Sequence, residues 1–251
     1  MAFLKFLGTA GARFVMIEQL RSSGGIWVCN KDTNVLIDPG PGSIVRCSAS
    51  RPKLDPMKLD ALILTHKHLD HSNDINVMIE AMTEGGFKKR GVVFCPPDAV
   101  GEDAVILKYA AKFPERIEKL KANKNYAVGG FKFKTSMKHI HPVETYGLKF
   151  DLGPVSVSLL TDTRFFRKLE DFYKTEILII SVVFFNVHTG VDHLCLADAE
   201  EIIKSCKPKR AILTHFGRSM LTAKPHIQAA ALTKRLGIKV EAAYDGMCLH
   251  L

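Results

Sequence analysis

Ala61-Leu62-Ile63-Leu64-Thr65-His66-Lys67-His68-Leu69-Asp70-His71 is the stretch on which the reading turns. Four apolar residues in a row read as a buried strand. Three imidazoles and a carboxylate then come within six residues. A strand end leading into a tight loop projects His66 and His68 to one side and turns Asp70 and His71 toward another. Imidazole and carboxylate are the ligand types that suit zinc, iron or manganese. A polar surface loop with this H-x-H-x-D-H spacing would be a rare accident.

A second stretch echoes the first. Ala211-Ile212-Leu213-Thr214-His215 is again a buried-type strand ending in Thr-His, ahead of a loop and a helix pattern. In the early half, strand patterns cover Phe3–Leu7, Ile26–Cys29, Val35–Ile37 and Ala61–Thr65, with a turn at Asp38–Gly42. A helical stripe runs from His71 to Met82, and Gly91–Cys95 is a further strand. The basic segment from about Pro97 to Asn125 reads as mostly helical, with six Lys/Arg against Glu115 and Glu118 between Lys108 and Lys124. Strands return at Phe131–Ser136, Tyr146–Phe150, Val155–Leu160 and Ile177–Val182. Helix patterns at Ala197–Cys206 and Lys224–Leu236 precede a strand near Val240–Tyr244. Strands followed by helices in each half predict two sheets packed together and covered outside by helices. Two strand ends meeting at one edge would put His66 and His215 in one cleft.

H-x-H-x-D-H after a strand is the signature of the metallo-β-lactamase superfamily, and the chain resembles a member over nearly its whole length, residues 1–251 as a single domain. The resemblance implies an α+β fold, a four-layer αββα sandwich. Leu36-Ile37-Asp38-Pro39-Gly40 resembles the early strand-end aspartate that orients ligands. His141-Pro142-Val143-Glu144-Thr145-Tyr146-Gly147 resembles the H-x-V-E-x-[FY]-G segment of ribonuclease Z-like members. Leu160-Thr161-Asp162-Thr163 resembles their G-D-T segment, and Gly8-Thr9-Ala10-Gly11 their first-strand turn. The same resemblance implies a pair of divalent ions, zinc first, with manganese or iron as alternatives. His66, His68 and His141 would hold one, Asp70, His71 and His215 the other, and Asp162 would bridge them. Two such ions can share a hydroxide and clamp a phosphoryl or acyl oxygen. His139, two residues before His141, is the rival for the third position. His193-Leu194-Cys195-Leu196-Ala197-Asp198-Ala199 resembles a segment whose histidine donates a proton, so the catalytic candidates are His193 and Asp70; a helix-start histidine with only a local bond is the plainer reading. His188 reads as a surface residue, His226 and His250 as structural.

Composition narrows the class. With 47% hydrophobic and 24% charged residues over 251 positions, the chain can bury a sizeable core. No run approaches the ~18 apolar residues of a membrane span, and Lys5 interrupts the apolar start, so neither a membrane protein nor a signal peptide is expected. Six cysteines without a C-x-x-C pair argue for reduced thiols and a cytoplasmic setting rather than a disulfide framework. A formal charge of +9 favours anionic partners. The expected function is hydrolysis of a small or cyclic phosphodiester. Nuclease action, with the Lys108–Lys124 stretch as contact surface, is the alternative, and a di-iron redox enzyme a more distant one. Look-alikes also imply a homodimer. A ribonuclease Z role is disfavoured, because only 20 residues separate the segments at His141 and Asp162, too few for that family's long arm.

Overall fold

The computed structural model describes residues 2–251. The first six strands are β1 (Phe3–Phe6), β2 (Ile26–Asn30), β3 (Thr33–Ile37), β4 (Ala61–Ile63), β5 (Val92–Cys95) and β6 (Arg116–Lys119). The next seven are β7 (Asn125–Val128), β8 (Phe131–Lys138), β9 (Tyr146–Leu152), β10 (Val155–Leu160), β11 (Ile177–Ser181), β12 (Arg210–Thr214) and β13 (Lys239–Ala242). Strand β14 (Cys248–His250) returns to pair antiparallel with β1. One sheet has the order β14-β1-β2-β3-β4-β5-β6; in the other, β7 to β13 lie in chain order. Each is antiparallel at one side and parallel at the other, through β3–β6 and β10–β13.

The helices are α1 (Ala12–Ile17), α2 (Ser43–Ala49), α3 (Leu69–Ser72), α4 (Ile75–Met82), α5 (Leu196–Cys206), α6 (Arg218–Thr222) and α7 (Pro225–Leu236). The period of two along each strand explains the layering. Ala61 and Ile63 of β4 point into a central core shared with Leu159, Ile179 and Ile212 of the other sheet. Leu62 and Leu64 point the opposite way, onto Ile75, Met78, Ile79 and Met82 of α4. Ala211 and Leu213 of β12 likewise face Ile202 and Ile203 of α5 and Leu232 of α7. Strands apolar on both faces must be covered on both faces, and the result is the αββα sandwich. Each fully buried large aliphatic side chain contributes about 1.5–3 kcal/mol.

Two local expectations are corrected. The stretch from Pro97 to Asn125 is not mostly helical: it holds short 3-10 turns at Pro97–Val100 and Ala110–Lys112, then β6 and β7. Pro96, Pro97 and Pro114 remove backbone donors and cut the helical pattern short. The charges of Arg116-Ile117-Glu118-Lys119 suit the open edge of a sheet, which β6 forms. The stripe from His71 to Met82 is two helices, broken at Asn73–Asp74. The Asp74 amide donates to the Pro39 carbonyl and its carboxylate accepts the Ile44 N–H, which ties the break to α2. That break lets α3 aim Asp70 and His71 at one place while α4 packs on the sheet. Among the described residues no helix is long and apolar enough to cross a membrane.

Candidate metal centre

Strands β4, β10 and β12 and the loops before β9 and α5 end at one edge of the sandwich. There they bring together His66, His68, Asp70, His71, His141, Asp162, His193 and His215. One group of potential ligand atoms comes from His66, His68 and His141, and a second from Asp70, His71, Asp162 and His215. A third, His141, Asp162 and His193, overlaps both.

The hydrogen bonds around the rings fix which nitrogen faces inward. Asp38 accepts the Thr65 N–H and the Thr65 hydroxyl, each at 2.7 Å. With its hydrogen committed, Thr65 Oγ1 can only accept from His66 Nδ1, 3.1 Å away. His66 Nε2 is thereby left with a lone pair, buried and without a hydrogen-bonding partner. Asp38 Oδ2 also lies 3.0 Å from His71 Nδ1, which turns His71 Nε2 inward, 3.3 Å from His215 Nε2. His141 Nδ1 donates to the Asp192 carbonyl at 3.0 Å, so its Nε2 lone pair meets His68 Nδ1, also at 3.0 Å. Asp162 stands between the groups. Its oxygens lie 3.7 Å from His66, 3.5 Å from His71, 3.3 Å from His215 and 3.5 Å from His193 Nδ1. Asp162 Oδ1 and His193 Nδ1 are further buried atoms without a hydrogen-bonding partner. Orphaned buried polar atoms are costly in a protein interior, and a cation satisfies them together. The donor set fits divalent metal.

Electrostatics agree for the first group of rings. Burial, with the neighbouring His71, holds the His66 pKa well below the ordinary histidine value; burial and His141 lower His68 to about 4. Neutral imidazoles are the ligating form. Burial would lower His71 too, but the charges of Asp70, Asp162 and Asp38 outweigh it and raise its pKa well above the usual range. For Asp162, burial opposes ionisation and the surrounding His215, His193 and His71 overcome it, keeping the carboxylate charged. His193 is lowered by burial, against the pull of Asp162.

The backbone is shaped for this packing. Asp38 and His215 adopt left-handed conformations, φ 52° and 59°, as non-glycine residues do chiefly where surrounding structure compels them. Gly11 exchanges backbone contact with the His215 loop: its N–H donates to the Phe216 carbonyl at 2.9 Å, and a Cβ there would lie 2.0 Å from the His215 oxygen. A Cβ on Gly40 would meet the Asp70 oxygen at 2.1 Å. The Gly8–Gly11 turn is thus a backbone feature beside the centre.

All seven expected ligand residues and His193 converge. His139 does not join them, since its Nδ1 faces the Asp162 carbonyl at 3.0 Å and its Nε2 the Tyr173 hydroxyl at 2.5 Å. His188 is exposed, against the Phe184 ring. Sequence reasoning missed Thr65 as a link between Asp38 and His66, although the repeated Thr-His was its visible signal. The Asp192 carbonyl, a backbone group, left no signal at all. Above the donors a cavity of about 430 Å³ is lined by Arg13, His68, Asp70, Asp162 and His193 among others.

A family model, the beta-lactamase superfamily domain, matches residues 33–216. The chain belongs to the beta-lactamase superfamily. An uncharacterized protein of Methanocaldococcus jannaschii is 33% identical over 256 residues, covering 98% of this chain and 94% of its own. The probable metallo-hydrolase YhfI of Bacillus subtilis is 28% identical over 190 residues, 73% of this chain and 75% of that one. Its crystal structure superposes with a TM-score of 0.78, at 19% identity, covering 99% and 98% of the two chains. A diphosphatase of the PhnP family gives a TM-score of 0.71, at 21% identity, covering 99% and 96%. These likenesses establish the fold, and membership together with the His/Asp cluster supports a metal-dependent hydrolase.

Proposed function

We propose that this protein is a phosphodiesterase for small or cyclic phosphodiesters, working with two divalent ions, zinc first. The observation that supports the reading is the carboxylate of Asp162 set between two donor groups, with its Oδ1 and His66 Nε2 buried and without hydrogen-bonding partners. His66, His68 and His141 would hold one ion and Asp70, His71 and His215 the other, with Asp162 common to both. When bound, such a pair supplies Lewis acidity toward a phosphoryl oxygen and a water activated at neutral pH.

The chain's own groups do the rest. Asp38 holds His71 directly and His66 through Thr65, so ring rotation cannot loosen the set. His193 borders the cavity beside Asp162 and is placed to pass a proton to a leaving alkoxide. The formal charge of +9 favours an anionic substrate. Of the 20 positions between His141 and Asp162, β9, β10 and the two-residue turn Gly153-Pro154 take most, which leaves no room there for an extended arm to clasp a large RNA. A cavity of about 430 Å³ is of small-ligand size. The likeness to a PhnP-family diphosphatase supports phosphoryl chemistry.

Metal-replete protein is expected to carry about two ions per chain and to hydrolyse bis(p-nitrophenyl) phosphate within a panel that also holds thioesters, lactams and RNA. Elemental analysis finding no metal after reconstitution rejects the premise; turnover confined to thioesters or lactams rejects the substrate class. His193→Ala should slow substrates with poor leaving groups by about 10²–10⁴-fold and spare activated esters, since only the former need an acid. Equal losses on both would remove the proton-donor role.

A further inference from the structure

A second cavity, of about 400 Å³, adjoins the one above the donors, and the two share Ala12, Arg13 and His193. Its walls are apolar and flat: Phe14 on α1, Phe184 with His188 beside it at a 4.4 Å ring separation, and Val191. Arg218 lies over the Phe14 ring at 5.0 Å, and its charge is met by Glu18, so the guanidinium presents a plane rather than a free cation. Among the described residues no carboxylate lines the cleft. Ser219 Oγ accepts the Phe185 N–H, leaving its own hydrogen to donate. Among the side chains lining the two cavities, Phe14 is 57% exposed, Ile17 66% and Val191 41%. A cluster of exposed apolar side chains at the rim of a polar centre marks a binding surface. Arg13 stands at the junction of the two cavities and has no ion-pair partner among the described residues.

Resting on the phosphodiesterase reading, we infer that this cleft takes the base of a nucleoside, so that the preferred substrates are nucleoside phosphodiesters rather than sugar or aliphatic ones. Phe14, Phe184 and His188 offer flat aromatic surfaces for a planar ring, and stacking tolerates any base. Arg13 meets the phosphate at the point where the cleft opens onto the donors, and His193 lies at the same boundary. A wholly aliphatic group would leave the flat walls poorly filled and the Ser219 hydrogen unused.

The test is calorimetric binding of adenosine 5′-monophosphate and of ribose 5-phosphate to metal-reconstituted protein, two ligands that share sugar and phosphate and differ only in the base. The nucleotide should bind about tenfold or more tightly, the size expected of base stacking. Phe14→Ala and His188→Ala, both at exposed positions, should each remove much of that preference and leave the ribose 5-phosphate affinity within about twofold. Equal affinities, or variants that weaken both ligands alike, would overturn the inference even if bis(p-nitrophenyl) phosphate is hydrolysed. A retained nucleotide preference without any phosphodiester turnover would uphold the cleft and sink the phosphodiesterase reading alone.

Discussion

β4 runs into Thr65-His66 and β12 into Thr214-His215, and both histidines face Asp162, at 3.7 Å and 3.3 Å. The two ends hold their rings in different ways. At the first, the threonine side chain links Asp38 to His66, which is fully buried. At the second, Thr214 takes part through its carbonyl, which accepts the Val182 N–H, and the control passes to the main chain. His215 sits in a left-handed conformation, pinned by paired backbone bonds between Phe216 and the Thr9–Gly11 turn. A repeated dipeptide at equivalent places in two sheets therefore does not mean a repeated device. What recurs is the demand for a fixed lone pair; side-chain chemistry meets it at one end and backbone geometry at the other.

Breaking the first device at its root should have the largest effect. Asp38→Ala frees His71 and, through Thr65, His66, so metal content and turnover should fall by about 10²-fold or more, at the upper end for a ligand-orienting group. A loss under threefold would show that the rings hold themselves. The sharper comparison is a matched pair. Thr65→Val should cost about 10–100-fold in metal affinity, whereas Thr214→Val should stay within about twofold, as for a substitution that breaks no side-chain bond. Equal costs would erase the distinction between the ends. Gly11→Ala tests the second device: a Cβ driven at the His215 carbonyl should destabilise the fold by about 1–3 kcal/mol, seen as a Tm lowered by several degrees. The smallest effect concerns the thiols, which neither device uses. Burial raises Cys47, Cys95 and Cys206 to about 12, so at pH 8 they are almost wholly protonated and unreactive. Alkylation of native protein at that pH should reach only the half-buried Cys29 and Cys248 and leave activity within about twofold.

Much of this was legible in the residues alone, and for a physical reason. Metal ligation restricts a position to very few side-chain types, so His66, His68, Asp70 and His71 stand out within six residues, and a strand apolar on both faces announces that it is covered twice. The Ala61–Leu64 and Ala211–Leu213 runs therefore carried the layering as well as the placement of the centre. Charge patterns were less reliable. The basic stretch after Pro97 looked helical because an open sheet edge and a solvated helix face tolerate the same residues.

Amino-acid order by itself determined the kind of chemistry, the αββα architecture and the residues able to serve as ligands. Only the tertiary structure decided which nitrogen of His66, His71 and His141 points inward. That choice rests on partners up to 51 positions away, such as the Asp192 carbonyl that turns His141 and the Tyr173 hydroxyl that occupies His139. Orientation is set by hydrogen bonds to groups brought near by folding, many of them backbone atoms that every residue possesses. Such groups carry no mark in the sequence, and distance along the chain conceals them until the sheets close together.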